Sequence, residues 1–146
     1  MNAASLFAWI ATVAVGLSLL IIFLLEYDPQ APTAAATRLP VPVISAHALL
    51  GMGGLLLWGV YLLGDDERLA WATVADLGIV ATLGTIMVAR WIRVYRARVD
   101  SGPSLIRVAT VPPERRFPLP AVVAHGMLAV TTVVLVLFTV LVPGQS

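Results

Sequence analysis

The chain has no cysteine and no lysine, only two histidines, and few charges of either sign: 12% of its 146 residues are Asp, Glu, Lys or Arg. Each scarcity excludes something. Without cysteine there are no disulfides, iron–sulfur ligands, thiolate zinc sites or CxxCH haem attachments. Soluble domains carry about 25% charged residues, so a water-soluble globule could not cover its surface with this allotment. An apolar content of 60% equally excludes a disordered chain. With a net charge of +1, no nucleic-acid partner is expected. There is no HExxH, P-loop or GxSxG, and Gly51-Met-Gly-Gly54 lies inside an apolar run, not in a phosphate loop. Neither histidine has an acid nearby in sequence, which leaves nucleophile triads unsupported. Two histidines also fall short of the three or four protein ligands of a zinc site. The chain is not expected to be an enzyme on its own.

What is present is apolar sequence in long runs. Spanning hydrocarbon takes about 20 apolar residues, and four segments qualify: 5–25, 43–63, 69–91 and 119–142. Lipid offers backbone N–H and C=O no partner, so each must be helical. The alternating pattern of a membrane barrel is absent. The expected fold is all-α: one membrane domain over residues 1–146, a four-helix bundle in the bilayer with loops at 26–42 and 92–118. The first span lacks the basic flank of a signal peptide and exceeds its usual apolar length. It is expected to be retained, despite Ala34-Ala35-Ala36 after it.

All nine basic residues are arginine, and seven of them (Arg90, Arg93, Arg96, Arg98, Arg107, Arg115 and Arg116) lie at the end of the third span or in the loop beyond. The positive-inside rule makes that loop cytoplasmic. Alternation brings Arg38 to the same side and leaves both termini outside. The acidic turn Gly64-Asp-Asp-Glu-Arg68 then faces outward. Trp58, Tyr61 and Trp71 are expected near the outer interface, and Trp91 and Tyr95 near the inner one. The arginine cluster reads first as a topology determinant and second as a site for anionic lipid headgroups, each Arg adding about 1 kcal/mol. Abundant Ala, Val, Leu, Gly and Arg without Lys suggests a GC-rich genome, hence a prokaryotic plasma membrane.

The chain also repeats itself. Arg38-Leu-Pro-Val-Pro-Val-Ile-Ser-Ala-His47-Ala-Leu-Leu50 aligns without gaps with Arg116-Phe-Pro-Leu-Pro-Ala-Val-Val-Ala-His125-Gly-Met-Leu128. Arg, both prolines, Ala, His and Leu are identical. A fainter echo links Ala8-Trp9 with Ala70-Trp71. Two parallel halves follow, each an inward span, a cytoplasmic loop and an outward span with one histidine. Parallel repeats are related by an axis along the membrane normal, which puts His47 and His125 at equal depth on equivalent faces.

Three uses of such a pair stay open on the sequence. One is a b-type haem with His47 and His125 as axial ligands, since neutral imidazole is a common iron ligand. Gly51, Gly54 and Ala129 would then make room for the macrocycle, and Arg38 and Arg116, at the cytoplasmic rim, would meet its propionates. The second is structural, with each histidine hydrogen-bonding between closely packed helices of a small subunit or assembly factor. The third is a proton- or metal-linked carrier using the pair and Asp76. The layout is similar in kind to membrane b-type cytochromes, including the cytochrome b561 family and respiratory haem anchors, which place axial histidines on facing spans. The likeness covers only the two histidine spans and departs from the cytochrome b561 pattern, which has two histidine pairs where this chain has one, so a second haem is unsupported. A donor, acceptor or quinone would come from a membrane partner. Asp76 reads as a solvated residue near a helix start, favoured there by the helix dipole. Ala4, Ala8, Thr12 and Gly16 form a small-residue stripe suited to packing inside the bundle or against a second copy.

Overall fold

The computed structural model describes residues 2–30, 37–100 and 112–142. Ala34-Ala35-Ala36, Gly102-Pro103 and Arg107 lie outside the described residues. Among these residues the fold is four antiparallel α-helices, α1 (Asn2–Glu26), α2 (Val41–Gly64), α3 (Glu67–Asp100) and α4 (Leu119–Leu141), with a short 3-10 turn at Pro113–Arg116 before the last. Each is long and apolar enough to cross a bilayer, and the chain is a multi-pass membrane protein. The third helix runs nine residues beyond the expected span end at Trp91. The segment expected as loop from residue 92 therefore begins as helix, because Arg93 and Arg96 suit helix leaving the hydrocarbon and the first Gly-Pro breaker comes only at 102–103.

Local chemistry sets the helix ends. Both α2 and α4 start on a Pro-x-Pro: Pro40 and Pro118 cap in extended conformation, and Pro42 and Pro120 sit where a missing N–H costs nothing. The Pro40 carbonyl accepts from the N–H groups of Val43 and Ile44, and that of Pro118 from Ala121 and Val122. A two-residue turn joins α2 to α3. Asp65 takes a left-handed conformation (φ 56°) and its N–H donates to the Tyr61 carbonyl. Asp66 then receives the Arg68 N–H at 2.9 Å and opens α3. At the opposite end, fully buried Glu114 accepts the Thr37 hydroxyl at 3.0 Å and the Arg38 backbone N–H, tying the segments before α2 and α4 together.

The helices form a ring in chain order. α2 packs tightly along α3 and α1 along α4, while α1/α2 and α3/α4 meet more loosely and the backbones of the diagonal helices stay apart. Exchanging α1 with α3 and α2 with α4 exchanges like with like, so the packing itself is two-fold. Buried Ser5 and Thr73, Trp9 and Leu77, and Phe23 and Trp91 occupy matching places on α1 and α3. Phe23 and Trp91 each stack on a tyrosine one turn on, Tyr27 and Tyr95, at 5.3 and 5.1 Å. Every one of these pairs is 68 residues apart. The fainter echo of Ala8-Trp9 with Ala70-Trp71 is thus a coincidence of apolar sequence: Trp9 matches Leu77, while Trp71 is half exposed.

The aromatic belt also differs from expectation. Trp58 is wholly buried, donates its indole N–H to Ser5 Oγ at 3.0 Å and packs on Tyr61. Trp91 is buried too, whereas Trp71 does face outward. An indole whose N–H finds a partner within the bundle gains more from packing than from the interface. Trp58→Ala is expected to lower the unfolding free energy in detergent by about 3–5 kcal/mol. Leu56→Ala, on the lipid-facing side of the same helix at 71% exposure, should change it by less than about 1 kcal/mol; denaturant titration of helicity measures both.

Candidate functional site

His47 and His125 lie six residues from the starts of α2 and α4, about 9 Å along each helix. Those helices stand on a diagonal of the bundle, and the two imidazoles meet across it, with ring centroids 6.2 Å apart and planes at 71°. Each ring is held by a helix beside it. His47 Nδ1–H donates to the Val80 carbonyl on α3 at 3.0 Å. His125 Nδ1–H donates to the Thr12 carbonyl on α1, also at 3.0 Å. A carbonyl oxygen only accepts, so Nδ1 carries the proton and the neutral ring keeps its lone pair on Nε2. Metal-binding histidines are typically oriented in this way.

Those carbonyls already accept bonds inside their own helices, and a side chain four residues on normally shields them. Here that residue is glycine both times. A Cβ at Gly16 would stand 2.8 Å from His125 Cε1, and one at Gly84 3.1 Å from His47 Cε1. Gly16 and Gly84 are 68 residues apart, as are Thr12 and Val80. The two binding places are therefore one device used twice. Sequence reasoning put Gly16 in a packing stripe and passed over Gly84. The available signal was a glycine at matching positions of α1 and α3, hidden because those helices share little other sequence.

The other expected residues are placed as follows. Gly51 faces Val80, and Gly54 faces Trp9 and Asp76. Ala129 is half-buried. Arg116 pairs with Glu26 of α1 at 3.1 Å, both partly exposed. The Arg38 side chain is exposed, and its carbonyl accepts from Arg90 at 3.4 Å. Both arginines lie at the end of the bundle nearer the histidines. Of the small-residue stripe of α1, Thr12 and Gly16 turn inward, the Thr12 hydroxyl meeting that of Thr132 at 3.0 Å and Gly16 facing His125, while Ala4 is exposed. Asp76 is half-buried, so the expected solvation is at most partial. Its Oδ2 is buried without a hydrogen-bond partner, because Gly54 opens the α2 surface opposite it.

Around the pair the packing changes character. The buried apolar residues form two clusters, Trp9, Trp58, Leu77 and Val136 on one side and Phe23, Leu39 and Ile44 on the other. Between them no described side chain is fully buried: none from 10 to 22, 45 to 53, 78 to 90 or 119 to 131. On α1 that interval spans about 20 Å. A bundle packed on itself buries a residue at nearly every turn. An apolar groove of about 570 Å³, lined by Val88, Trp91, Val122, Gly126 and Met127 among others, opens between α3 and α4, and neither histidine lines it.

This arrangement suits a metal held between two rings. Imidazoles bound on opposite sides of one ion, each nitrogen about 2 Å away, place their centroids roughly 6 Å apart. Among the described residues no cluster of three or more His, Cys, Asp or Glu could hold a bare ion, so further ligands would have to come with the metal. No family model, no curated protein and no solved structure matches the chain.

Gly16→Ala should displace the His125 ring and lower stability by about 1–3 kcal/mol, with Gly84→Ala milder because its clearance is larger. Gly53→Ala and Gly126→Ala, where a Cβ would meet nothing within 4 Å, should be neutral or stabilising by up to about 1 kcal/mol. Thermal unfolding of the four variants in one detergent gives the order.

Proposed function

We propose that this chain is a single-haem membrane electron-transfer protein, or the haem-bearing subunit of a redox complex, with His47 and His125 as axial ligands of one haem b. The observation that carries the reading is the pair itself: two imidazoles from diagonal helices at 6.2 Å, each tied through Nδ1 to a carbonyl. That tie holds each ring against rotation and raises the basicity of its other nitrogen. The layer between the two apolar clusters suits a planar macrocycle, and Gly16 and Gly84 admit the rings to it. Arg38 and Arg116 would offer cations for the propionates; Arg116 is paired with Glu26 in this structure. The haem supplies a one-electron couple. The electron donor, acceptor or quinone belongs to a membrane partner. The arginine-rich end is assigned to the cytoplasm of a prokaryotic plasma membrane, with both termini outside.

A structural role is the second reading, favoured by the same two bonds, since a histidine bonded to a neighbouring helix already contributes to packing. An absorption spectrum separates the two. Protein purified from haem-replete cells is expected to show a Soret band and a reducible α-band, lost in both His47→Ala and His125→Ala. A colourless wild-type preparation overturns the haem reading and leaves the structural one. For orientation, a reporter fused after Ser146 is expected to read as extracytoplasmic; a cytoplasmic signal would reverse the assignment.

A further inference from the structure

Asp76 lies nine residues into α3, within the apolar part of the span. Its Oδ2 is buried and has no hydrogen-bond partner. The space it occupies exists because residue 54 is glycine: a Cβ there would collide with this oxygen and stand 2.8 Å from the Trp9 ring. The donors of this layer are committed elsewhere. The Trp9 indole N–H donates to the Gly51 carbonyl at 3.1 Å, the Trp58 indole to Ser5, and the Thr73 hydroxyl to the Leu69 carbonyl at 2.8 Å. No counter-charge faces it. Residues 2–25 of α1 carry no ionisable side chain; α2 contributes only His47 and Tyr61, and α4 only His125. On α3 the nearest charges are Glu67 and Arg68, both exposed at the helix start.

The side chain as a whole is half-buried, but an ionised carboxylate would keep its buried oxygen Oδ2 in an apolar layer with neither partner nor donor, which is costly. A proton on the orphan oxygen removes the charge. A metal cation would need several further oxygen ligands, and no described cluster of acids or histidines supplies them. We infer that Asp76 is a proton-binding site in the half of the bundle that ends at the Asp65–Glu67 turn. One proton from water on that side adds to the carboxylate to give the carboxylic acid, and leaves by the same route. Because Gly54 is seven residues from His47 on one helix, the site stands about 10 Å from the histidine layer. It goes beyond the haem reading and does not depend on it. Ionisable groups inside a membrane are rare and mark ion and proton paths.

The test uses the full chain in lipid vesicles. Dicyclohexylcarbodiimide, which partitions into lipid and reacts with protonated carboxyl groups, is expected to modify Asp76 at neutral pH, located by peptide mass spectrometry. A water-soluble carbodiimide should instead modify Asp65, Asp66 and Glu67. Excess sodium should not protect Asp76. In infrared spectra, the carbonyl band of a protonated carboxyl should be present in wild type, lost in Asp76→Asn and shifted in Asp76→Glu. Absence of both the label and the band from folded protein overturns the inference, and so does protection by sodium, which would mean a cation site. Because these readouts need no haem, a colourless preparation bears on the proposed function alone.

Discussion

Hydrocarbon gives a polar side chain nothing to bond to, and this bundle answers that constraint with carbonyl groups exposed by glycine. Gly16 uncovers the Thr12 carbonyl for His125, and Gly84 uncovers that of Val80 for His47. Each bond settles three things together: which nitrogen carries the proton, how the ring is turned, and how closely diagonal helices approach the centre. The same economy recurs where Trp9 reaches the Gly51 carbonyl and where Trp58 reaches Ser5. Asp76 is the described exception, and an exception of this kind is expensive enough to need a use.

The energetics divide the molecule along its length. At one end Trp9, Trp58, Leu77 and Val136 interlock, and at the other Phe23, Leu39 and Ile44 do. Below them buried Glu114 ties together the segments leading into α2 and α4. Two firm ends carry a middle layer whose side chains are only partly buried, and the histidines lie in that layer. Such an arrangement fixes the two rings from both sides of the layer. A bundle built for stability alone would spread its large side chains evenly.

The two-fold relation is a matter of packing more than of identity. Trp9 and Leu77, Phe23 and Trp91, or Gly54 and Thr132 are different residues in matching, buried places. What the halves preserve is the chemistry that must be symmetric: the Pro-x-Pro starts of α2 and α4, the histidines, the glycines that admit them, and the tyrosines stacked below. What they do not preserve is the layer between the histidines and the α2–α3 turn, where Thr132 meets Thr12 on one side and Gly54 meets Asp76 on the other. That asymmetry confines the acid to one interface.

Sequence alone determined the four spans, because their length and polarity answer to the thickness of a bilayer and to nothing else in the chain. It also determined the register of His47 with His125, because arginine, proline and histidine are rare here and their agreement over thirteen positions is not accidental. It did not reveal the correspondence of α1 with α3. The connection between Tyr95 and His125 is ten residues longer than that between Tyr27 and His47, which breaks the alignment, and apolar residues exchange freely within a bundle. Helix rotation was equally hidden. Whether Trp58 faces lipid or core, and whether Asp76 meets water or Gly54, depends on which side of a uniformly apolar helix its neighbour covers. Only the tertiary structure decided that, since an all-round apolar helix carries no pattern from which its inner face can be read.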